Sequence, residues 1–544
     1  MNLSQLLLAG KYTELTSYFS NQYLYFFLPI SIIGYCFMPQ KAKKYYLLAA
    51  SMAFYWLISG KLILFLLITV MSVHHFALWL DRIRAKKDNA VKECEKEERK
   101  QIKKAFQKKS RVVLAFAAVV HIGALLMIKY SPFFTENINS LLKLFHSQTV
   151  LEIPKFIMPI GISFFTLQAV SYLVDVYRGV SKADDNIFRV ALFMSFFPQI
   201  VEGPICRYEQ TAPQLWSVKK IDYQNFTLGI TRVLYGYMKK LVVADRLNPL
   251  IQEVFDNYDK YDGGIIAIAA VFYTVQLYMD FSGTMDAVIG TAQIFGVKLP
   301  ENFQRPFFSK TISEFWQRWH ITLGTWFKDY IFYPVTMSKP MKNLTSSARK
   351  KLGNHFGPLV AGSVALFCVW FSNGLWHGAA WSYIFFGMYH FLLILCGNIV
   401  SPAVKSVNSK LHISPEKLPY RLVQILRTCV FVVIGELFFR ANGLRAGLAM
   451  FKRLFSKMKF TALTPEVLKP LGIDIKDIAI VLVAVLIVFI ISILNEKGVP
   501  VGERVNNLKL PVRWVILFSL IMFIVIFGAY GPGYIPVDPI YAEF

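Results

Sequence analysis

Cysteine is scarce in the sequence, and its few copies follow no recognisable pattern. The six cysteines, at positions 36, 94, 206, 368, 396 and 429, form no CxxC pair and mostly lie in apolar segments. A disulfide framework or a zinc site needs regular cysteine spacing, so we expect neither of them and no metal. Long internal repeats are absent, and the first twenty residues lack the basic-then-apolar order of a cleavable signal peptide.

Apolar residues are abundant instead. They make up 55% of the 544 residues, against roughly 45–50% in an average soluble domain. Runs such as 62–80, 478–494 and 514–530 approach the ~20 apolar residues with which a helix crosses a bilayer. About eleven such segments can be counted, with shorter or interrupted ones that suit re-entrant helices. The pattern predicts an all-α, polytopic integral membrane protein with about 11 or more transmembrane helices.

Membrane topology explains the net charge of +25, so we expect no nucleic-acid partner. Lysine and arginine cluster in short loops, as they do on the cytoplasmic side of membranes. Residues 82–111 are the most basic of these stretches and are predicted to form a cytoplasmic helical hairpin or coil, with docking of an acidic carrier protein or anionic lipid as the alternative. This orientation places both termini outside. The basic segment 444–459 then also falls outside, where an amphipathic helix on the outer leaflet would account for it.

Polar side chains at membrane depth concentrate in the middle of the chain. Asp280 and Asp286 lie in an apolar stretch, where ionisable residues usually face a cavity or a partner. They could belong to a binding site, or they could be helix caps or buried ion pairs, with Arg305 and Arg318 nearby in sequence.

Two histidines stand in unusually aromatic surroundings. His320 lies in the segment 312–335, which is too polar to span easily and is predicted to be an amphipathic or re-entrant helix on the cytoplasmic side. His377 lies in "SNGLWHGAAW", between two apolar runs and close to Asn373 and Trp376. Because a neutral imidazole is a natural general base for a hydroxyl, the pair suggests group transfer across a membrane.

Several segments resemble the membrane-bound O-acyltransferase superfamily. They include "MPIGISFFTLQAVSYLVDVYRG", "FPQIVEGPICRYEQ", "QLYMDFSGTMDAVIGTAQIFGVKLPENFQRPF", "RWHITLGTWFKDYIFYPV" and "NGLWHGAAWSYIFFGMYH". They cover roughly residues 155 to 390, and they are most similar to the branch that holds bacterial alginate O-acetyltransferases and teichoic-acid D-alanyltransferases.

The resemblance implies a ring of helices around a central tunnel and a catalytic role for His377, with His320 as the second family histidine. We expect Asn373 to orient His377, and Arg318 and Trp319 to shape the donor side. The full set of expected substrate-binding residues is Asn373, Trp376, Arg318, Trp319, Asp280 and Asp286.

The family also implies the substrates. The donor would be acetyl-CoA or another acyl thioester, with no bound cofactor, and the acyl group is expected to be acetyl. The final acceptor would be an extracellular polysaccharide, and the location would be the bacterial cytoplasmic membrane. A transporter or channel is the competing class, although no repeated half with matching broken helices is visible. A catalytically inactive scaffold of a secretion complex is the third, disfavoured by the presence of both histidines.

The chain is expected to divide into four regions. Residues 1–130 would hold N-terminal transmembrane helices with the basic insert 82–111, and residues 131–400 the catalytic core. Residues 401–530 would add C-terminal transmembrane helices, and residues 531–544 an extracytoplasmic tail.

The tail "YGPGYIPVDPIYAEF" ends in apolar and aromatic residues. Its spacing resembles an aromatic ending found in this branch, although Pro539, Ala542 and Glu543 depart from that pattern. The resemblance implies that Tyr541 receives the acyl group from the His377 site. An extracytoplasmic SGNH-type partner would then pass the group to the polysaccharide.

Overall fold

The computed structural model describes residues 17–147, 149–154, 156–217, 219–459 and 463–530. These residues form helices and connecting segments, with a single isolated bridge between Phe303 and Trp319 as their only β-type pairing. The prediction of an all-α protein is confirmed. The chain forms two compact units, residues 1–230 with 288–300 and residues 231–287 with 301–544.

The first unit contains seven complete helices among the described residues. They are α1 (Leu28–Phe37), α2 (Lys43–Ser59), α3 (Ile63–Glu93), α4 (Arg99–Leu144), α5 (Ile162–Arg178), α6 (Ile187–Ser195) and α7 (Tyr208–Trp216). A cluster of aromatic rings holds part of this unit together. The ring of Phe27 lies 5.0 Å from that of Phe54 and 5.2 Å from that of Phe197. The buried hydroxyl of Tyr18 donates a hydrogen bond to the carbonyl oxygen of Phe197 at 3.0 Å.

The basic stretch 82–111 is a helical hairpin, as predicted. Helix α3 continues to Glu93, a short turn follows, and α4 begins at Arg99. Both helices therefore extend well beyond their apolar parts. The cytoplasmic location of this hairpin stays a prediction.

The second unit holds the remaining helices, and two long helices are shared between the units. The shared helices are α8 (Tyr223–Tyr237) and α10 (Gly263–Ile294). The others are α9 (Asp245–Asp256), α11 (Ile312–Arg318), α12 (Ile321–Phe327), α13 (Tyr333–Thr336), α14 (Lys339–His377), α15 (Trp381–Lys410), α16 (Leu418–Arg440), α17 (Leu444–Ser456), α18 (Pro465–Leu468), α19 (Ile475–Glu496), α20 (Val501–Asn506) and α21 (Leu510–Phe527).

Within the described ranges, eight helical segments are long and apolar enough to cross a membrane. They are Lys43–Glu93, Arg99–Leu144, Gly263–Ile294, Lys339–His377, Trp381–Lys410, Leu418–Arg440, Ile475–Glu496 and Leu510–Phe527. The first of them contains both α2 and α3, which meet at Gly60, where φ is 54°. The predicted number of about eleven is not confirmed by this count, which leaves out shorter apolar helices such as α5 and α6.

Several long helices expose apolar side chains on their outer faces. Helix α21 buries only Arg513 and Ile524 and leaves Trp514 and Phe518 61% exposed. Helix α19 likewise exposes more than half of Leu482. Exposed apolar surface on this scale suits contact with lipid, so the chain is a multi-pass membrane protein.

The basic segment 444–459 contains helix α17, which ends at Ser456. One face of this helix buries Ala446, Gly447 and Met450, while Phe455 remains 74% exposed. The predicted amphipathic helix is therefore confirmed, and its place on the outer leaflet stays a prediction.

Helices α14 and α15 form a hairpin joined by only three residues, 378–380. A Cβ atom on Gly374 would lie 2.6 Å from the carbonyl oxygen of Tyr383, and one on Gly387 would lie 2.3 Å from that of Trp370. The two glycines thus allow the helices to approach closely, as small residues do in membrane helix pairs. The hairpin places His377 at the last position of α14.

Candidate active site

The segment 312–335 is helical, as predicted, but it is broken at the histidine. Helix α11 ends at Arg318, Trp319 is extended, and His320 adopts a left-handed conformation with φ 47° and ψ 50°. Helix α12 then begins at Ile321. A left-handed backbone is uncommon for a residue with a side chain, so neighbouring groups must hold it in place.

Asn302 holds this turn. Its backbone carbonyl accepts a hydrogen bond from the N–H of Ile321 at 3.0 Å. Its Oδ1 atom accepts from the backbone N–H of Thr322 at 3.0 Å and from the Thr322 hydroxyl at 2.9 Å. One buried amide therefore anchors the start of α12.

The same oxygen also faces the ring of His320. Asn302 Oδ1 lies 3.3 Å from His320 Nδ1, and an amide oxygen can only accept. This contact favours the tautomer with the proton on Nδ1, which leaves Nε2 free of a proton. Burial lowers the pKa of His320 to about 3, so the imidazole is neutral at physiological pH.

Trp376 separates the two family histidines. Its ring centroid lies 5.6 Å from that of His320 and 5.0 Å from that of His377. Both histidines are only 2% exposed. The rings of Phe439 and Phe386 pack against His377 at 5.1 Å and 6.1 Å. The structure therefore brings His320, Trp376 and His377 into one site, shielded from solvent by aromatic rings.

A small apolar cavity of about 50 Å³ lies beside His320. Three tryptophans contribute to its walls, and Asn373 reaches it from α14. The side chain of Asn373 is buried, and its Oδ1 accepts no hydrogen bond from any described residue. The expected role of Asn373 in orienting His377 stays a prediction. The tryptophans are Trp316, Trp319 and Trp370.

Asp280 and Asp286 form buried ion pairs, one of the two alternatives that the sequence left open. Asp280 pairs with Lys240 at 3.0 Å. Asp286 pairs with Lys239 at 2.5 Å and with Arg232 at 2.9 Å. The lysines lie in a π-helical segment, Met238–Ala244, between α8 and α9.

The two arginines expected near these carboxylates have another partner. Arg305 and Arg318 both pair with Glu496 at the end of α19, at 2.5 Å and 3.0 Å. Arg318 also pairs with Glu314, one turn earlier on α11. The suggested pairing of Asp280 and Asp286 with these arginines is thus wrong, because separation along the chain does not determine which helices are adjacent.

A second, polar cavity of about 370 Å³ is lined in part by Asn302. Its lining includes Lys239, Asp286 and Arg305 as well as Asn302 itself. A charged cavity thus reaches the residue that holds His320. Trp319 lines the apolar cavity and not this one, and Arg318 lines neither of the two. The two predicted donor-side residues, Arg318 and Trp319, therefore do not share a cavity lining.

Asn302 and the lysine pair were not recognised from the sequence. The run "YMKKLVVAD" places two lysines in an apolar stretch, a signal that could have marked Lys239 and Lys240. Asn302 lies inside the family-like segment "LPENFQRPF", but its amide carries no signal of its own. Tyr541 and the tail lie outside the described residues.

The geometry defines a class of site. Two imidazoles lie on either side of one indole, buried among aromatic rings and away from bulk water. Together with the membrane helices, this is a solvent-shielded pair of titratable side chains inside a multi-pass membrane protein.

Comparison with known proteins gives the family. Residues 113–349 match the sequence profile of the membrane-bound O-acyltransferase family, MBOAT. A probable alginate O-acetylase, AlgI, of Pseudomonas aeruginosa is 30% identical to this chain over 439 residues, which cover 80% of this chain and 74% of that protein. The chain belongs to the membrane-bound O-acyltransferase family and is an O-acyltransferase.

Two other relatives represent different acceptors. A peptidoglycan O-acetyltransferase of Helicobacter pylori is 28% identical over 461 residues, covering 79% of this chain and 78% of that protein. A teichoic acid D-alanyltransferase of Bacillus subtilis is 29% identical over 285 residues, covering 51% of this chain and 67% of that protein. The branch that the sequence motifs indicated is confirmed.

Replacing Asn302 tests whether it supports the His320 turn. In Asn302→Ala, the donors of Thr322 and His320 lose a buried acceptor, so the free energy of unfolding should fall by about 1–3 kcal/mol. Thermal unfolding in detergent measures the change. Asn442→Ala, which removes an exposed hydrogen bond to Asp256, is the control. Equal unfolding midpoints for the two variants would contradict this role.

Proposed function

We propose that this protein transfers an acetyl group from a cytoplasmic acyl thioester to a hydroxyl acceptor, for the O-acetylation of an extracellular polysaccharide. The observation that carries the proposal is the pair of buried histidines on the two sides of Trp376. The names of the relatives support a polysaccharide acceptor, since they include an alginate O-acetylase and a peptidoglycan O-acetyltransferase.

His377 is proposed as the general base. It removes the proton of the acceptor hydroxyl, and the oxygen attacks the acyl carbonyl. The carbon–sulfur bond breaks, the thiolate leaves, and the proton passes from His377 to the thiolate. Because His377 is the last residue of α14, the negative end of the helix dipole favours the imidazolium ion that forms.

His320 is proposed to lie at the donor end of the site. Its pKa of about 3 keeps it neutral, and its Nε2 atom then serves as a hydrogen-bond acceptor. The thioester would reach it through the polar cavity lined by Lys239, Asp286 and Asn302. Lysine and arginine side chains on this route suit the phosphate groups of coenzyme A, which we propose as the donor carrier.

The acceptor side is proposed to involve the C-terminal tail. Tyr541 would receive the acetyl group on its hydroxyl, forming an ester. An extracytoplasmic SGNH-type partner enzyme would then transfer the group to the polysaccharide. This route rests on the resemblance of the tail sequence to the endings found in the branch.

Substitution of His377 should remove the proposed base. We expect His377→Ala to lower acyl transfer by roughly 10²–10⁴-fold, the usual range for general-base catalysis, at an unchanged amount of folded protein. Transfer of radiolabelled acetyl groups from acetyl-CoA by the purified protein measures this.

A second histidine on the same helix provides the control. His355 is exposed and makes a hydrogen bond to the carbonyl oxygen of Asn398, and His355→Ala should retain activity. If His377→Ala retains activity equally well, the base is another residue.

Chemical labelling tests the proposed orientation. A single cysteine in place of Asn89, in a chain without its native cysteines, should resist membrane-impermeant thiol reagents in intact cells and react after the cells are opened. Rapid labelling in intact cells would reverse the donor and acceptor sides.

The relay through the tail predicts a covalent intermediate. After exposure to acetyl-CoA, mass spectrometry should find an acetyl ester on Tyr541. Tyr541→Phe lacks the hydroxyl and should abolish acetylation of the polysaccharide, while Tyr534→Phe in the same tail is the control. Wild-type acetylation by Tyr541→Phe would mean that the polysaccharide enters the site directly.

A further inference from the structure

The apolar cavity beside His320 has features of a binding site for a very small group. It is lined by large rings and by Leu323, Gly324 and Phe327 of α12, and it is partly open at the exposed Gly324. Asn373 of α14 also lines it. This cavity is separate from the polar one and shares none of its lining residues.

Its volume restricts what can enter. The cavity measures about 50 Å³ on a scale where one water molecule needs roughly 10–15 Å³. It therefore holds about three or four non-hydrogen atoms. An acetyl group has three such atoms, whereas a butanoyl group has five.

The polar content of the cavity matches an acyl group. Asn373 is 6% exposed, and its amide is the polar side chain that faces the cavity together with His320. Its Oδ1 accepts no hydrogen bond from the described part of the chain. Since the two ends of an amide can exchange by rotation, the Nδ2 donor can equally face the cavity and bind a carbonyl oxygen.

We infer that this cavity holds the acyl group of the thioester and limits it to two carbons, with Leu323 and Gly324 as the residues that set this limit and Asn373 as the donor to the acyl carbonyl. The inference rests on the proposed function, because it assumes that the thioester carbonyl reaches His320. The acyl carbon stays bonded to sulfur in this cavity until the acceptor oxygen attacks it.

Gly324 offers a way to reduce the cavity without disturbing the fold. A Cβ atom built on it would have one neighbour within 4 Å, the carbonyl oxygen of Trp316 at an ordinary contact distance of 3.5 Å. Gly324→Ala therefore adds a methyl group at a residue that lines the cavity, with little strain. Leu323→Ala does the opposite, since it removes three carbon atoms from the cavity lining.

The experiment compares acyl thioesters of increasing length. Purified full-length protein in detergent is given acetyl-, propanoyl- and butanoyl-CoA, and release of the free thiol is measured for each. One methylene in an apolar pocket changes discrimination by roughly 10–200-fold. Gly324→Ala should therefore lower use of acetyl-CoA at least tenfold, and Leu323→Ala should raise use of butanoyl-CoA relative to acetyl-CoA at least tenfold.

Two further variants distinguish an effect of cavity size from the loss of a hydrogen bond to the acyl carbonyl and from a loss of stability. Asn373→Ala should lower the turnover of all three thioesters by a similar factor, because it removes a donor to the carbonyl and leaves the length limit in place. Gly362→Ala adds a methyl group to α14 where nothing lies within 4 Å, and it should behave as the wild type. Size-exclusion profiles identify any variant that fails to fold.

The outcomes are distinct. A wild-type preference for acetyl-CoA that Gly324→Ala and Leu323→Ala shift in opposite directions supports the inference. If the wild type uses acetyl-CoA but neither variant changes the preference, or if it uses butanoyl-CoA equally well, the inference falls and the proposed function stands. If the wild type uses none of the thioesters, the proposed donor is wrong and the inference falls with it.

Discussion

Charged groups removed from water must be paired, and this requirement positions the site. Lys240 is almost fully buried and lies between two carboxylates, Asp280 at 3.0 Å and Asp245 at 2.7 Å. Loss of one partner from a buried pair typically costs 3–5 kcal/mol, so α10 is held firmly against the π-helical segment. Asn302 connects α10 to His320. Its Nδ2 contacts Met285 of α10, and its Oδ1 accepts the hydrogen bonds that hold the turn of His320.

The second histidine depends on a different kind of contact. Gly374 and Gly387 let α14 and α15 approach until backbone meets backbone, so the end of α14 has a fixed position. Trp376 and His377 are the last two residues of that helix, so the same packing fixes where they lie. One histidine is thus placed by hydrogen bonds and ion pairs, the other by close helix packing, and the ring of Trp376 spans the distance between them.

Sequence reasoning recovered the elements that carry a strong local signal. The apolar runs identified the membrane helices, and the aromatic surroundings of His320 and His377 marked the two catalytic candidates. The exact number of membrane helices stays a prediction. The continuous helical segment 223–256 carries charges along its length, and its place in the fold depends on partners in other helices.

Residues whose importance depends on distant neighbours could not be found from the sequence. The partners of Asp286 lie about fifty positions earlier in the chain, and Glu496 joins Arg305 across almost two hundred. Asn302 is an ordinary loop residue until α12 folds back onto it. The break at His320 was also hidden, because a left-handed backbone at a histidine has no compositional mark and depends on contacts such as the hydrogen bonds of Asn302.

The local backbone gives the two histidines different chemistry. His377 ends α14, and the free carbonyl groups at the end of a helix attract positive charge. His320 precedes the first turn of α12, where N–H groups point outward and oppose a positive charge, and burial lowers its pKa to about 3. Both side chains are equally buried, so the helix ends alone distinguish the two histidines, and they favour a transferred proton on His377. The asymmetry follows from which end of a helix each residue occupies, and it supports the proposal of His377, the histidine farther from the cavity proposed for the acyl group, as the general base.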